Sequence, residues 1–414
     1  METLQPKLRF PGFEGDMNYL YKKHSFEDVF LFSTGKNIKQ NEASPEFETL
    51  CVRYGELYHM YNEVIKVVIN RTNLDKSELI FSEGDEILLP SAGEDPLDIG
   101  SASALTVENV AIGRTINILK PLKQNVYSNI YASYYINHKL RPKIATLAKG
   151  VSISNVYNSD LKTLDIILPT LQEQTRIANF LSSVDEKLNL LKEKKALLED
   201  YKKGIMQKIF NQEIRFKDDN GEDFEEWEEK GLGEIADFYK GKGLPKNHIS
   251  DDGEYKCIHY GELFTKYDEL IKNIISKTNI YVKPFLSISN DVLMPTSDVT
   301  PNGLATASCI KEDDVILGGD VLVIRQKTKI LDGLFLAFYI KQYKDKVMKL
   351  VSGSTVYHLY GSDMKNLDIK YPRLEEQTKI ANFLSAIDEK IDLVSNQIEE
   401  TQEYKKGLLQ QMFI

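Results

Sequence analysis

Apolar positions in this chain mostly come in short runs, but twice they settle into a long helical stripe. Residues 169–190 read PTLQEQTRIANFLSSVDEKLNL and residues 372–393 read PRLEEQTKIANFLSAIDEKIDL. In the first passage Ile177, Leu181, Val184, Leu188 and Leu191 alternate steps of four and three, and Leu198, Ile205 and Ile209 prolong the series. In the second, Ile380, Leu384, Ile387, Ile391 and Val394 do the same, followed by Ile398, Leu408 and Met412. Heptad spacing of this kind puts the apolar residues on one face and predicts a seam between two paired helices. A single helix packed on its own domain is the plainer alternative. Lys195, Lys202 and Lys405 interrupt the seam. Thr170-x-x-Glu173, next to Pro169, reads as a capping box opening the first helix. Gly204 and Gly407 sit inside the pattern, where close helix approach or a break near the helix end would account for them.

Between the stripes the pattern shortens. Strand-like runs at Ile87 to Leu89, Ile116 to Leu119, Val292 to Met294 and Val321 to Ile324 are bounded by turn-forming residues. Helix-like spacing appears at Ile130 to Leu140 and Leu334 to Tyr343. These segments repeat in register. Across the helical passages 21 of 42 ungapped positions are identical, comparing Pro169 to Phe210 with Pro372 to Phe413. Further upstream CVRYGELYHMYNEVI, from Cys51, matches CIHYGELFTKYDELI, from Cys257. A module of this size duplicated once is not a short solenoid repeat.

The expected organisation is a globular part over 1–168, a helix over 169–211, a second globular part over 212–371 and a second helix over 372–414. A 40-residue helix is about 60 Å long, and a compact domain of this size is about 40 Å across. A domain cannot bridge the ends of two parallel helices, so the pair should run antiparallel. The expected fold class is therefore α+β: two globular domains separated by an antiparallel coiled coil of two long helices, with a pseudo-two-fold internal repeat. Such a two-fold object suits duplex DNA.

The net charge of −10 argues against a nucleic-acid partner only until the charges are placed. Much of the acid lies in one run, Asp218 to Glu229, read as a solvated connector. Basic residues gather elsewhere. Lys139, Arg141, Lys143 and Lys149 lead into Gly150, and Lys341, Lys344, Lys346 and Lys349 lead into Gly353. A small-residue loop behind a basic helix suits phosphate contact. Arg141, Lys143, Lys149 and Ser152, with Lys344, Lys346, Ser354 and Thr355, are accordingly candidate phosphate contacts; a plain turn before a strand is the alternative.

Chemistry narrows the reading by what is missing. There is no phosphate-binding glycine loop of the usual kinds, and no Asn/Asp-Pro-Pro-aromatic tetrad of the amino-methyltransferases. The six histidines lack metal spacing. Cys51, Cys257 and Cys309 read as buried thiols, and no membrane-length apolar run or signal-peptide core appears, which points to the cytoplasm. Binding is favoured over catalysis. A self-contained DNA-modifying or cleaving enzyme and a coiled-coil adaptor without a DNA role stay open as alternatives.

The motif P-x-L-x-E-Q-x-x-I-A-x-F-L-S-x-x-D-E-K and its continuation to Y-K-K-G resemble the repeats of type I restriction–modification specificity (S) subunits. The RYGELY and HYGELF runs, the passage PTSDVTP at Pro295 to Pro301 and the GST-V loop resemble that family too. The resemblance implies two target-recognition domains, each reading one half of a split DNA site. It implies that the helix pair, through Ile177, Leu181, Val184, Leu188, Leu191, Ile380, Leu384, Ile387, Ile391 and Val394, sets the gap and docks two modification (methyltransferase) subunits. Restriction (motor/nuclease) subunits then join. It implies no catalysis and no cofactor in this chain, with S-adenosylmethionine, ATP and Mg2+ used by the partners. Matched positions that differ between the copies, Arg53 and His259, Asn155 and His358, and Glu94 opposite Val299, are candidate base readers. One departure is that Pro90 to Pro96 reads PSAGEDP where the second copy has PTSDVTP.

Overall fold

In a computed structural model, the structure describes residues 5–13 and 20–414, so part of the expected 1–168 segment lies outside the described residues. The chain forms two units, one of Met1–Lys192 with Asn396–Ile414 and one of Glu193–Ser395. Each unit therefore holds the start of one long helix and the end of the other.

The first unit is built on a five-stranded sheet in the order Phe30–Thr34, Ile116–Pro121, Glu86–Pro90, Ser103–Leu105 and Val64–Ile65. Pairing is antiparallel, with Ile118 opposite Leu88, except at the parallel last pair. The central strands are buried along most of their length, as runs such as EILLP require when both faces are covered. A smaller sheet carries Thr49–Val52 parallel to Glu108–Ile112. The expected helix after the sheet forms as Asn129–Tyr135, a wider five-residue turn at Ile136–Leu140, and Arg141–Leu147. Pro142 has no N–H to donate back into that turn, which explains the break in the regular ladder.

The second unit repeats this plan with Ala236–Lys240, Val321–Gln326, Val292–Pro295, Ser308–Ile310 and Leu270–Ile271 in the same order. Its last pair is again parallel. The counterpart helices are Gly333–Gln342 and Lys344–Met348. The acidic run stays exposed but is not a loose connector. Glu228–Gly231 pairs with Asp368–Tyr371, and Asp219 and Glu225 meet Lys379 and Arg373 at the start of the second long helix.

The long helices span Leu171–Phe210 and Leu374–Met412. In the first unit Ile177, Leu181 and Val184 share one core with Leu408, Met412 and Phe413 and with the domain's Tyr131 and Ile166. Leu188 is buried and Leu191 half-buried. In the second unit Ile380, Leu384 and Ile387 pack with Met206, Ile209 and Phe210, with Ile391 at the margin and Val394 buried. The stripe thus serves both readings at once, packing on the domain and on the other helix. Within each unit the two segments run antiparallel. Leu8 N–H donates to Gln411 O while neighbouring Arg9 holds Glu173, and twelve residues further along the first helix Asp185 meets Lys405, six residues back along the second. In the second unit Glu376 meets Arg215, and Asp388 meets Lys202.

The expected capping box is absent. Among the described residues the Thr170 hydroxyl has no hydrogen-bond partner, and the fully buried Glu173 carboxylate takes two bonds from Arg9, at 2.9 and 2.6 Å. Glu376 takes the same pair from Arg215. The neighbouring glutamines close the helix start instead. Gln174 accepts from Ser128 N–H and donates to Pro169 O, and Gln377 accepts from Asp332 N–H and donates to Pro372 O. Both helices run through Gly204 and Gly407, and a Cβ at either would meet nothing within 4 Å among the described residues. Neither close approach nor a helix break accounts for these glycines.

Candidate nucleic-acid interface

The basic stretch and the glycine loop converge in each unit. In the first, Asn155 lies opposite Ala92 and Ser154 opposite Gly93. Lys149 and Asn155 exchange backbone hydrogen bonds of 2.9 and 2.8 Å, closing a loop over Gly150 to Ser154. Gly150 has φ +136°, and a Cβ there would lie 2.0 Å from Ile153 O, so the loop tolerates no side chain at this point. In the second unit Gly353 has φ +118°, and its Cβ would lie 2.2 Å from Val356 O. That hairpin continues through Tyr357–His358 onto Ser297–Asp298.

The loop tips project outward. Ser152 is exposed between a fully exposed Val151 and an exposed Ile153; Ser354 and Thr355 are exposed beside Val356. Glu94 and Val299 stand exposed on the facing turn of each unit. The departure between PSAGEDP and PTSDVTP leaves the local structure intact. Asp95 caps Pro96–Ile99 by accepting from Leu97 N–H, and Thr300 caps Pro301–Leu304 by accepting from Gly303 N–H. A short acceptor followed by proline starts a one-turn helix in either sequence.

The predicted cations divide into two kinds. Arg141 is engaged, with its Nε donating to Leu97 O at 2.8 Å and its guanidinium 3.5 Å from Asp98. Lys149 sits 2.6 Å from Asp160, and that bond holds the Asp160 carboxyl below its usual range. Lys143 is exposed, Lys344 is half-buried, and Lys346 is exposed with its ammonium 4.6 Å over the Tyr343 ring. Among the described residues these three have no ion pair. They are the cations that can meet a phosphate without first breaking a bond.

The base-reader candidates divide similarly. Asn155 and His358 belong to the loop cluster. His358 Nδ1 lies 3.0 Å from Ser297 Oγ and its ring stacks on Tyr360. Arg53 and His259 instead serve their own turns. Arg53 Nε donates to Glu56 at 2.7 Å, while His259 Nδ1 accepts from Gly261 N–H. Burial lowers the His259 pKa. The acid of each YGEL motif is the organiser: Glu56 accepts from Arg53 N–H and Asn70, and Glu262 from His259 N–H and Lys266. The exposed apolar tips Val151 and Val356 were not legible as site residues; their signal was the matched glycine before each.

Burial pushes the thiols of Cys51 and Cys309 up to about 12 and that of Cys257 to about 11. Among the described residues no group of three or more His, Cys, Asp or Glu side chains is placed to hold a metal ion.

Comparison with known proteins decides the family. The profile of the type I restriction modification DNA specificity domain matches twice, at residues 20–200 and 224–403. The chain belongs to this family. Its sequence is 25% identical, over 81% of the chain and 80% of the relative, to the type I restriction enzyme MjaVIII specificity subunit of Methanocaldococcus jannaschii. The fold matches the crystal structure of the type I restriction-modification S subunit from M. genitalium, with TM-score 0.64, 18% identity and 99% of each chain covered. It also matches a chain solved in work on assembly and conformational transition of the type I R-M system, with TM-score 0.52, 16% identity, and 94% and 95% coverage. As a specificity subunit it supplies DNA recognition to a restriction–modification assembly. No helix is long and apolar enough to cross a membrane, among the described residues.

Proposed function

We propose that this specificity subunit recognises an asymmetric, bipartite site in double-stranded DNA, one half read by the loop cluster of each unit. The observation that carries this reading is a matched framework holding unmatched tips. Gly150 and Gly353 impose the same tight loop, and the caps at Asp95 and Thr300 the same facing turn. Between them Glu94, Asn155 and Ser152 in one unit stand where Val299, His358 and Thr355 cluster in the other. Equivalent scaffolds with different donors and acceptors read different bases. Lys143, Lys344 and Lys346 meet phosphate directly, and Arg141 and Lys149 do so in exchange for Asp98 and Asp160. Arg53 and His259 support the turn behind the reading loops.

The chain does no chemistry of its own in this proposal. Two modification (methyltransferase) subunits dock on the repeat helices, and restriction subunits join them in the cytoplasm. S-adenosylmethionine, ATP and Mg2+ act in those partners. Support for two equivalent docking faces comes from exposed apolar residues at repeat-equivalent positions, Leu190 with Leu393 and Tyr201 with Tyr404, beside the open glycines Gly204 and Gly407. The test is methyl transfer from labelled S-adenosylmethionine to a DNA library. The chain with its methyltransferase should label adenine within split sites, and the chain alone should label nothing. Transfer by the purified chain alone would overturn the reading.

A further inference from the structure

Two of the lysines that interrupt the apolar seam lie at repeat-equivalent places, Lys202 buried and Lys405 half-buried. In the first unit Lys405 Nζ lies 3.0 Å from Glu63 and 2.7 Å from Asp185. In the second, Lys202 Nζ lies 3.0 Å from Glu269 and 2.6 Å from Asp388. Each ammonium also sits over an aromatic ring, Tyr134 at 5.5 Å and Phe338 at 5.1 Å. Every cluster draws on three elements: the globular domain, the start of one long helix and the end of the other. The surroundings differ. Tyr134 donates its hydroxyl to Asp185, where the second unit has a phenylalanine; there Lys341 adds a second cation to Glu269. Burial would lower both lysines, but their carboxylates outweigh it and raise them.

A buried ion cluster is a poor way to gain stability, since apolar residues of similar volume serve as well or better. Its use at a helix seam is selection, because a slipped register leaves an ammonium against apolar residues and strips the cation from Glu63 and Asp185 in the first unit and from Asp388 in the second, where Lys341 still holds Glu269. We propose that Lys405 with Glu63 and Asp185, and Lys202 with Glu269 and Asp388, are keys that fix the helix register in each unit and the seating of the recognition domain on it. These are positioning residues. Their effect on DNA rests on the bipartite-site reading above, through the spacer between half-sites.

An apolar variant separates selection from stability: Lys405→Met with Glu63→Met, Asp185→Leu and Tyr134→Phe. It should melt at or above the wild-type temperature, yet its amides in 396–414 should exchange about tenfold faster. Paired with the methyltransferase, it should modify sites whose spacer is one base pair longer or shorter, at rates within about tenfold of the normal site, with the half-site bases unchanged. A fully charge-reversed variant, Lys405→Glu with Glu63→Lys and Asp185→Lys, keeps both opposite-charge contacts at the seam and should keep one spacer. The proposal is overturned if the apolar variant melts well below wild type, or if its exchange and spacer match wild type. It is equally overturned if the reversed variant widens the spacer as the apolar one does, since packing would then hold the register. Should wild type show no split site at all, the functional reading fails, while the exchange measurement, which uses no DNA, still judges the key.

Discussion

Removing Lys143 and Lys346 together should flatten the salt dependence of DNA binding by a calculable amount. Both are exposed, one in each unit, on the helices leading into Gly150 and Gly353, and neither has an ion pair among the described residues. Each phosphate neutralised on duplex DNA contributes about 0.9 to the slope of log K against log salt, so the double Ala variant should lose about 1.8. Over a fourfold rise in salt, from about 50 to about 200 mM, the wild-type advantage should therefore shrink about twelvefold. The loss should be the same on a cognate and a scrambled duplex, because phosphate carries no sequence information. Lys149→Ala should do less, because Asp160 already occupies that ammonium at 2.6 Å. Fluorescence anisotropy with labelled duplexes across a salt series gives the slopes. An unchanged slope in the double variant would refute the assignment of this face to DNA.

Two further expectations concern the framework. Arg9→Met leaves the fully buried Glu173 without its bidentate partner and should cost about 3–5 kcal/mol; Arg215→Met should cost less, because the Arg215 side chain is already partly in water. Thermal unfolding of the two variants ranks them, and the reverse order would count against burial as the cause. Acid should act on the second unit through Glu269, against an opposite contribution from Asp388, whose carboxyl burial raises. Burial alone would raise the Glu269 carboxyl too, but Lys341 and Lys202 outweigh it and hold it below its ordinary value near 4.5. Its stabilisation is then complete above that pH and is lost as pH falls through the lower folded value. Glu269→Gln should remove that part of the acid slope in a pH series of melting curves.

The duplication, the long helices and the central strands were legible because each rests on a local pattern: heptads from Ile177 and Ile380, and apolar runs such as Ile87 to Leu89. What escaped depends on partners far away in sequence. Thr170 and Glu173 have capping-box spacing, but Arg9 competes for the carboxylate and wins, since a buried charge needs a cation. Lys202 and Lys405 looked like flaws in a seam because Glu269 and Glu63 come from the globular domains. For the interface, the basic residues and glycine loops were visible. That Asp98 and Asp160 occupy Arg141 and Lys149 was not, nor that Arg53 turns back to Glu56. PSAGEDP and PTSDVTP look unlike, yet both supply a capping oxygen before proline.

The most direct test of the central claim is the methylome of cells carrying this chain with its methyltransferase, before and after residues 20–168 are replaced by those of a relative. The account predicts a split motif, one half of which changes while the other half and the spacer stay. A continuous motif, or a change in both halves, would contradict it.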